Sequence, residues 1–217
     1  MAEGEEDLAL AINAIGAGAV AAASKNCSAS IIHLSSDYVF DGTKEGPYVE
    51  SDSPNPLSVY GRTKLAGEKL VAKANPRHII LRTSWVYSPF GKNFVKTMLQ
   101  LAQDSDEVSV VSDQIGCPTS AFELARAIRA VCEPASPPNF SAYGVYHFAG
   151  PVVMSWAEFA RAIFQESAAL GGPICSVKDI KTSEFPTRAR LPRNSELDSG
   201  MFERVFDVVP KRTSEAL

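Results

Sequence analysis

Apolar residues between Asp7 and about Lys25 recur at spacings near three and four, in a stretch rich in Ala, Leu and Ile. That pattern predicts a helix with one face packed on a neighbour. Ser30-Ile31-Ile32-His33-Leu34-Ser35 is a short run carrying β-branched residues and suits a buried strand. Asp41-Gly42, Pro47, Pro54 and Pro56 then mark a loop. Helical spacing resumes from about Leu57 to Ala74, with Tyr60, Lys64 and Glu68 at four-residue intervals. The alternation continues with a strand at His78 to Arg82, a helix at Asn93 to Gln103 and a short strand at Val108 to Val111. A helix at Ala121 to Cys132 follows, then a Pro-rich segment from Pro134 to Pro138 and a strand at Gly144 to Phe148. Ser155 with Glu158 three residues on is a capping-box start for a helix to about Leu170. Strands alternating with helices predict an α/β fold with a mainly parallel sheet and helices on its faces. The more broken final third predicts a smaller lobe.

Composition narrows the class without changing the fold. A chain of 217 residues with 45% hydrophobic content can bury a core in one or two domains. With 21% charged residues, a net charge of -4 and no basic stripe, it does not resemble a nucleic-acid or membrane-surface binder. The apolar stretches look short and interrupted, so no transmembrane span is expected. Met1-Ala2-Glu3-Gly4-Glu5-Glu6-Asp7 is acidic where a signal peptide would be basic, which makes the cytoplasm the expected location. Cys27, Cys117, Cys132 and Cys175 form no CxxC pair, and only His33, His78 and His147 could join them around a metal. They are expected to be reduced structural thiols.

The chemistry-bearing text is Tyr60-Gly61-Arg62-Thr63-Lys64. A Tyr and a Lys four apart on a helix share a face, one turn from each other. An ammonium beside a phenol favours the phenolate and lowers the tyrosine pKa from about 10. Such a pair can pass a proton to a carbonyl oxygen as hydride arrives at its carbon. Ser35 or Ser36, at the end of the first strand, could hold and polarise that oxygen. The motif alone equally describes an exposed Tyr beside a solvated Lys. Its setting favours chemistry: Ser35-Ser36-Asp37-Tyr38-Val39-Phe40-Asp41-Gly42 lies at a strand's carboxyl end, where open parallel sheets build their sites, with Ser36 24 positions before Tyr60.

These two blocks are followed by Arg82-Thr83-Ser84-Trp85-Val86-Tyr87, Asn93-Phe94-Val95-Lys96-Thr97-Met98 and Ser112-Asp113-Gln114-Ile115-Gly116-Cys117-Pro118-Thr119. In this order and spacing they resemble the extended short-chain dehydrogenase/reductases and, within them, the dTDP-4-dehydrorhamnose reductases. The resemblance covers essentially the whole chain. It implies a Rossmann-like fold, with a partial Rossmann-like domain at 1–133 and a mixed segment at 134–217 that adds a sheet strand and a small substrate lobe. It implies reduction of dTDP-4-dehydro-6-deoxy-L-mannose to dTDP-L-rhamnose with hydride from NADPH or NADH, the cofactor carrying the hydride chemistry. Carried over residue by residue, Tyr60 is the proton donor, Lys64 lowers its pKa and binds the nicotinamide ribose, and Ser36 binds the keto oxygen. Asp37 touches the sugar, Leu34 lines the nicotinamide side, and Trp85 meets the sugar or its pyrophosphate, unless it is simply a core Trp. Gln114 and Thr119 line the substrate side.

Two departures from the family stand out. The resemblance implies an opening strand and a GxxGxxG-like turn that cradles the pyrophosphate. Gly16-Ala17-Gly18 lies inside the first helix instead. Roughly the first sixty residues of a normal member, two βα units and part of a third, are therefore expected to be missing. That loss would leave the strand at Ile31 as an exposed sheet edge and uncover apolar helix faces. Near the C-terminus, Leu191-Pro192-Arg193-Asn194-Ser195 has Leu where the family has Arg. Arg190 or Arg193 could reach the diphosphate in its place, or both could be solvated charges. No metal ligand is assigned, the magnesium site of some members is not readable, and a homodimer is left open. Two other readings remain: a non-catalytic relative like the regulatory subunit of methionine adenosyltransferase, or a substrate-binding remnant. The RTSWVY and DQxGxPT blocks favour the reductase over the first.

Overall fold

A computed structural model describes residues 2–132 and 140–211. The Pro-rich segment and the boundary expected at 133/134 fall outside the described residues. The first helix, α1, runs from Glu6 to Asn26 and widens to a π-helical turn at Ala11–Gly16. It is followed by β1 (Ile31–Ser36), α2 (Val59–Ala74) and β2 (His78–Thr83). Next come β3 (Val86–Tyr87), α3 (Phe94–Asp104), β4 (Glu107–Val111), β5 (Ile115–Gly116), β6 (Thr119–Ser120) and α4 (Ala121–Cys132). The described chain closes with β7 (Gly144–His147), β8 (Met154–Ser155), α5 (Trp156–Ala169), β9 (Ser176–Ile180), β10 (Asn194–Ser195) and α6 (Gly200–Phe206). The capping box at Ser155 and Glu158 forms, with both reciprocal hydrogen bonds.

β1, β2 and β7 make a parallel sheet in the order β1-β2-β7, in a register that sets Ser36 against Thr83 and Arg82 against His147. Successive side chains of β2 point to opposite faces. Ile79 and Leu81 pack against Leu124, Ala127 and Val131 of α4 and Phe202 and Phe206 of α6. Ile80 packs the other way, against Ala21 of α1 and Val71 of α2. Helices therefore cover both faces, and β2 reads as a continuous apolar run because both of its faces are buried.

The remaining strands do not extend this sheet. Among the described residues they form two parallel ladders, β3 with β6 and β4 with β9, and a mixed ladder β10-β5-β8 whose β5–β8 pairing is antiparallel. The β4–β9 ladder packs with α3 and α5 around Met98, Val108, Val110, Phe159, Ile163 and Phe164 to form the second lobe. Elements from the two ends of the chain interleave, since β7 completes the first sheet and β9 pairs with β4.

β1 is an edge strand of its sheet. α1 packs on α2, burying Ala9, Ala14 and Ala21, while Leu8, Ile12, Ile15 and Val20 are exposed. The expectation about apolar stretches needs correcting here. α1 is 21 residues long with a mean hydropathy of 1.5 in its most apolar window, enough by length and composition to cross a membrane. Gly16 and Gly18 lie within the helix as expected, so the apolar residues on either side of them belong to one continuous element.

Candidate active site

The site forms where β1 ends and α2 begins. Ser36 closes β1, and its hydroxyl accepts the Tyr38 N–H at 3.2 Å, capping the short turn Asp37–Val39. Ser58 caps α2 in the same way by accepting the Gly61 N–H at 3.1 Å. Gly61 is needed for the approach of the two elements: a Cβ there would lie 2.1 Å from the Tyr38 carbonyl oxygen. With no side chain in the way, α2 lies against the turn after β1 and Tyr60 comes beside Ser36 and Tyr38. One turn further on, Lys64 donates its ammonium to the Leu34 carbonyl at 2.5 Å.

The electrostatics differ from the simple Tyr–Lys pair. Burial pushes the Tyr60 phenol above its ordinary value, Asp37 pushes it further, and a hydrogen bond with Ser36 partly offsets both. Lys64 does not lower the phenol as expected: its own pKa falls through burial and its head is turned to the Leu34 carbonyl. Desolvation disfavours the phenolate more than a diverted ammonium favours it. Tyr60 thus holds its proton, the state a proton donor needs.

Asp37 is buried in the wall of the site. Its carboxyl receives Ser36 Oγ at 2.6 Å and Ser84 Oγ at 3.1 Å, with Ser195 as a further donor. Burial nevertheless raises its pKa to about 6. Behind it lies a buried ion pair. Glu68 receives Arg82 Nε at 2.9 Å and Arg82 Nη2 at 2.7 Å, and Ser35 donates to the same carboxylate at 2.5 Å. Both members of the pair are about 4% exposed. The bidentate geometry ties β1, α2 and β2 together immediately behind Ser36.

Trp85 roofs the site. It stacks on Trp156 with ring centroids 3.5 Å apart, and Phe94 packs on Trp156 at 4.6 Å. Its φ of 47° lies in the left-handed region, which is strained for a bulky residue and is held by its surroundings. Gly116 makes room for the ring: a Cβ there would sit 2.5 Å from Trp85 Cε2. Ser36, Asp37, Tyr60, Trp85 and Trp156 line a cavity of about 230 Å³. Trp156 also borders an apolar cleft of about 350 Å³ lined by Phe94, Met98, Leu101, Val110 and Phe185, into which Gln114 brings an amide. Gln114 Nε2 is steadied by Thr182 Oγ1 at 3.1 Å.

Other expected residues fall elsewhere. Thr119 is buried, donates to the Cys117 carbonyl at 3.0 Å and accepts the Gly150 N–H at 3.0 Å, so its hydroxyl is spent within the fold. Arg190 is exposed, and Arg193 borders a separate cleft formed by residues 42–46, Ser112, Asp113 and Ile115. Leu34 is exposed on the edge strand. Sequence reasoning missed Trp156, Ser84, Ser195 and the Glu68–Arg82 pair. Trp156 carried one usable signal, as the second of only two Trp in the chain. Among the described residues no group of three or more His, Cys, Asp or Glu is placed to hold a metal.

The residues present suit the nicotinamide end of a dinucleotide. Lys64, whose ammonium reaches the Leu34 carbonyl on the edge strand β1, and Tyr60 one turn before it are the residues that could hold a nicotinamide ribose.

The model of the RmlD substrate binding domain matches residues 1–217. The dTDP-4-dehydrorhamnose reductase of Sinorhizobium fredii is 47% identical over 208 residues, spanning 95% of this chain and 70% of that protein. The same enzyme of Aggregatibacter actinomycetemcomitans is 41% identical, spanning 100% of this chain and 74% of that protein. The solved dTDP-4-dehydrorhamnose reductase of Clostridium acetobutylicum superposes with a TM-score of 0.91 at 40% identity, over 99% of this chain and 73% of that one. That of Bacillus anthracis, crystallised with NADP, gives 0.89 at 38% identity, over 99% and 72%. With these matches at close to full coverage, and the Ser36, Tyr60 and Lys64 side chains gathered at one strand end, the chain belongs to the dTDP-4-dehydrorhamnose reductase (RmlD) family of NAD(P)-dependent oxidoreductases.

Proposed function

We propose that this chain reduces dTDP-4-dehydro-6-deoxy-L-mannose to dTDP-L-rhamnose with NADPH or NADH. The observation that carries this reading is the meeting of Ser36, Tyr60 and Lys64 at the end of β1, beside a cavity roofed by Trp85 and Trp156. A nicotinamide dinucleotide, when bound, supplies the hydride that adds to the sugar's C4. As negative charge grows on O4, Tyr60 Oη gives it a proton and is left as a phenolate, which the Lys64 ammonium stabilises once it turns from the Leu34 carbonyl towards the phenol. Ser36 holds O4 in place. The stacked indoles present a flat, water-excluding wall to the sugar, and the apolar cleft with its single Gln114 amide suits a planar pyrimidine base. A cytoplasmic setting is part of the proposal, supported by the free thiols of Cys27, Cys117 and Cys175.

The test is a fluorescence titration of the chain with NADPH and NADH, followed by addition of the 4-keto sugar nucleotide and absorbance of the reduced cofactor. Turnover that disappears in Tyr60→Phe, with sugar-nucleotide affinity retained, is the expected result. A chain that binds the dTDP-sugar and neither dinucleotide would be a substrate-binding protein, and the catalytic reading would fall.

A further inference from the structure

The hydrogen bonds around Ser36 leave a question that the reductase mechanism does not answer. A serine hydroxyl has one hydrogen to give and two lone pairs to receive. The Ser36 hydrogen is aimed at Asp37 Oδ1, 2.6 Å away, while the oxygen accepts the Tyr38 N–H and lies against Tyr60. Ser84 repeats the arrangement, giving its hydrogen to Asp37 Oδ2 and accepting the Cys117 N–H at 3.4 Å. Every hydroxyl around the carboxyl is thus aimed inward, as an ionised carboxylate, which only accepts, requires. A ketone oxygen also only accepts. The substrate and an ionised Asp37 therefore compete for a single hydrogen.

We propose that Asp37 is a proton switch on Ser36: a protonated carboxyl releases the Ser36 hydroxyl to donate to the substrate's carbonyl oxygen, and an ionised one withholds it. The inference rests on the reductase reading of this cavity. Protonation takes one proton from solvent and places it on Oδ1, which now donates to Ser36 Oγ. The serine oxygen then receives Tyr38 N–H and Asp37 O–H on its two lone pairs, and its own hydrogen turns to the cavity. Tyr60 and Ser36 together supply two donors to the ketone, and no bond other than O–H bonds changes.

The surroundings allow such a switch. The groups acting on the carboxyl are the hydroxyls of Ser36, Ser84 and Ser195 and the Tyr38 N–H, with no cation among them. The titratable neighbours are Tyr38 on the same turn, Tyr60 from α2 and Cys117 from the β5–β6 connection, all with raised pKa values and hence neutral near pH 7. The lysine one turn from Tyr60 is engaged by the Leu34 carbonyl. Burial without a cationic partner is what brings the carboxyl's titration to about 6, where both states are populated.

The first test needs no ligand. With the Asp37 carboxyl carbon labelled, NMR titration of the full chain should give a midpoint near 6, moving upward in Ser36→Ala because a donor to the carboxylate is lost. A midpoint in the ordinary carboxylate range, or one unmoved by Ser36→Ala, would overturn the switch whether or not the chain is a reductase. The second test is calorimetric binding of the 4-keto sugar nucleotide and of its 4-hydroxy product. The ketone should bind about 3- to 10-fold tighter with Asp37 protonated, the worth of one hydrogen bond, and the product, which can itself donate, should show little pH dependence. Asp37→Asn, whose amide always donates to Ser36, should bind the ketone at the tight limit at every pH. Equal pH dependence for ketone and product would also sink the proposal. Failure of both nucleotides to bind would count against the reductase reading, leaving the ligand-free titration to decide the switch.

Discussion

The two lobes hold their parts of the site by opposite means. In the first, the side chains proposed as catalytic stand on a buried polar frame: the Glu68–Arg82 pair, the Ser35 hydroxyl and His147, whose Nδ1–H donates to the Tyr48 carbonyl at 3.1 Å. In the second, the wall proposed to meet the substrate is apolar and aromatic, and the charged groups lie at the surface, as in the Arg161–Asp179 pair, about half exposed on both sides. The contrast follows from what each lobe must do. Proton transfer needs Ser36 and Tyr60 held to within a fraction of an ångström, which directional bonds in a low-dielectric interior provide. Enclosing a base and a sugar needs shape and exclusion of water, which stacked rings provide.

The largest test of this contrast removes the frame. Glu68→Ala leaves Arg82 buried without its partner and should cost about 3–5 kcal/mol in urea unfolding. A loss below about 1 kcal/mol would mean that the frame does not hold the first lobe together. A pH titration sharpens the same point. Burial depresses His147 to about 3 and His33 to about 4 in the folded chain, well below the unfolded value of 6.5. Both histidines are therefore held neutral, and the stability they contribute is present above pH 6.5 and lost as pH falls towards those values. The urea midpoint should drop steadily on acidification, with a shallower slope in His147→Gln. Equal slopes would show that His147 does not couple folding to pH.

In the second lobe the largest effect should come from Gly116→Ala, which drives a methyl group into Trp85 and forces the stacked indoles apart. It should cost about 1–3 kcal/mol as an overpacking substitution, weaken dTDP-sugar binding and leave any nicotinamide binding intact. Unchanged tryptophan fluorescence would show that the pair absorbs the methyl without moving. The smallest effect belongs to Asp179→Ala, expected to stay within about 0.5 kcal/mol of the parent because its partner Arg161 remains solvated. A cost rivalling that of Glu68→Ala would remove the distinction between the two lobes.

Much of this architecture was legible in the chain. The apolar runs at Ile79, Ile80 and Leu81 and the periodicity of α2, α4 and α5 set the element types, because side-chain burial repeats with backbone geometry. The Tyr60–Lys64 spacing and the Ser35-Ser36-Asp37 text at a strand end marked the site, since both signals are local. The helix α1 was placed correctly, but its length and apolar character, 21 residues with a mean hydropathy of 1.5 in its most apolar window, were underestimated. The assignment of Thr119 rested on resemblance alone, and the fold spends its hydroxyl on Gly150 and Cys117; Arg190 and Arg193, left open between the diphosphate and solvent, are both exposed.

The sequence by itself determined the α/β alternation, the residues proposed to carry proton chemistry and the family, because each is written in spacings of a few residues or in blocks of contiguous text. The tertiary structure decided the partners. Asp37 meets Ser84 and Ser195, Glu68 meets Arg82, and Trp85 meets Trp156, each pair distant in sequence and joined only by packing of strand ends and helices. The same packing decided the charge states, because desolvation depends on what surrounds a group in space: it raised Asp37 and Tyr60 and turned Lys64 towards a backbone carbonyl.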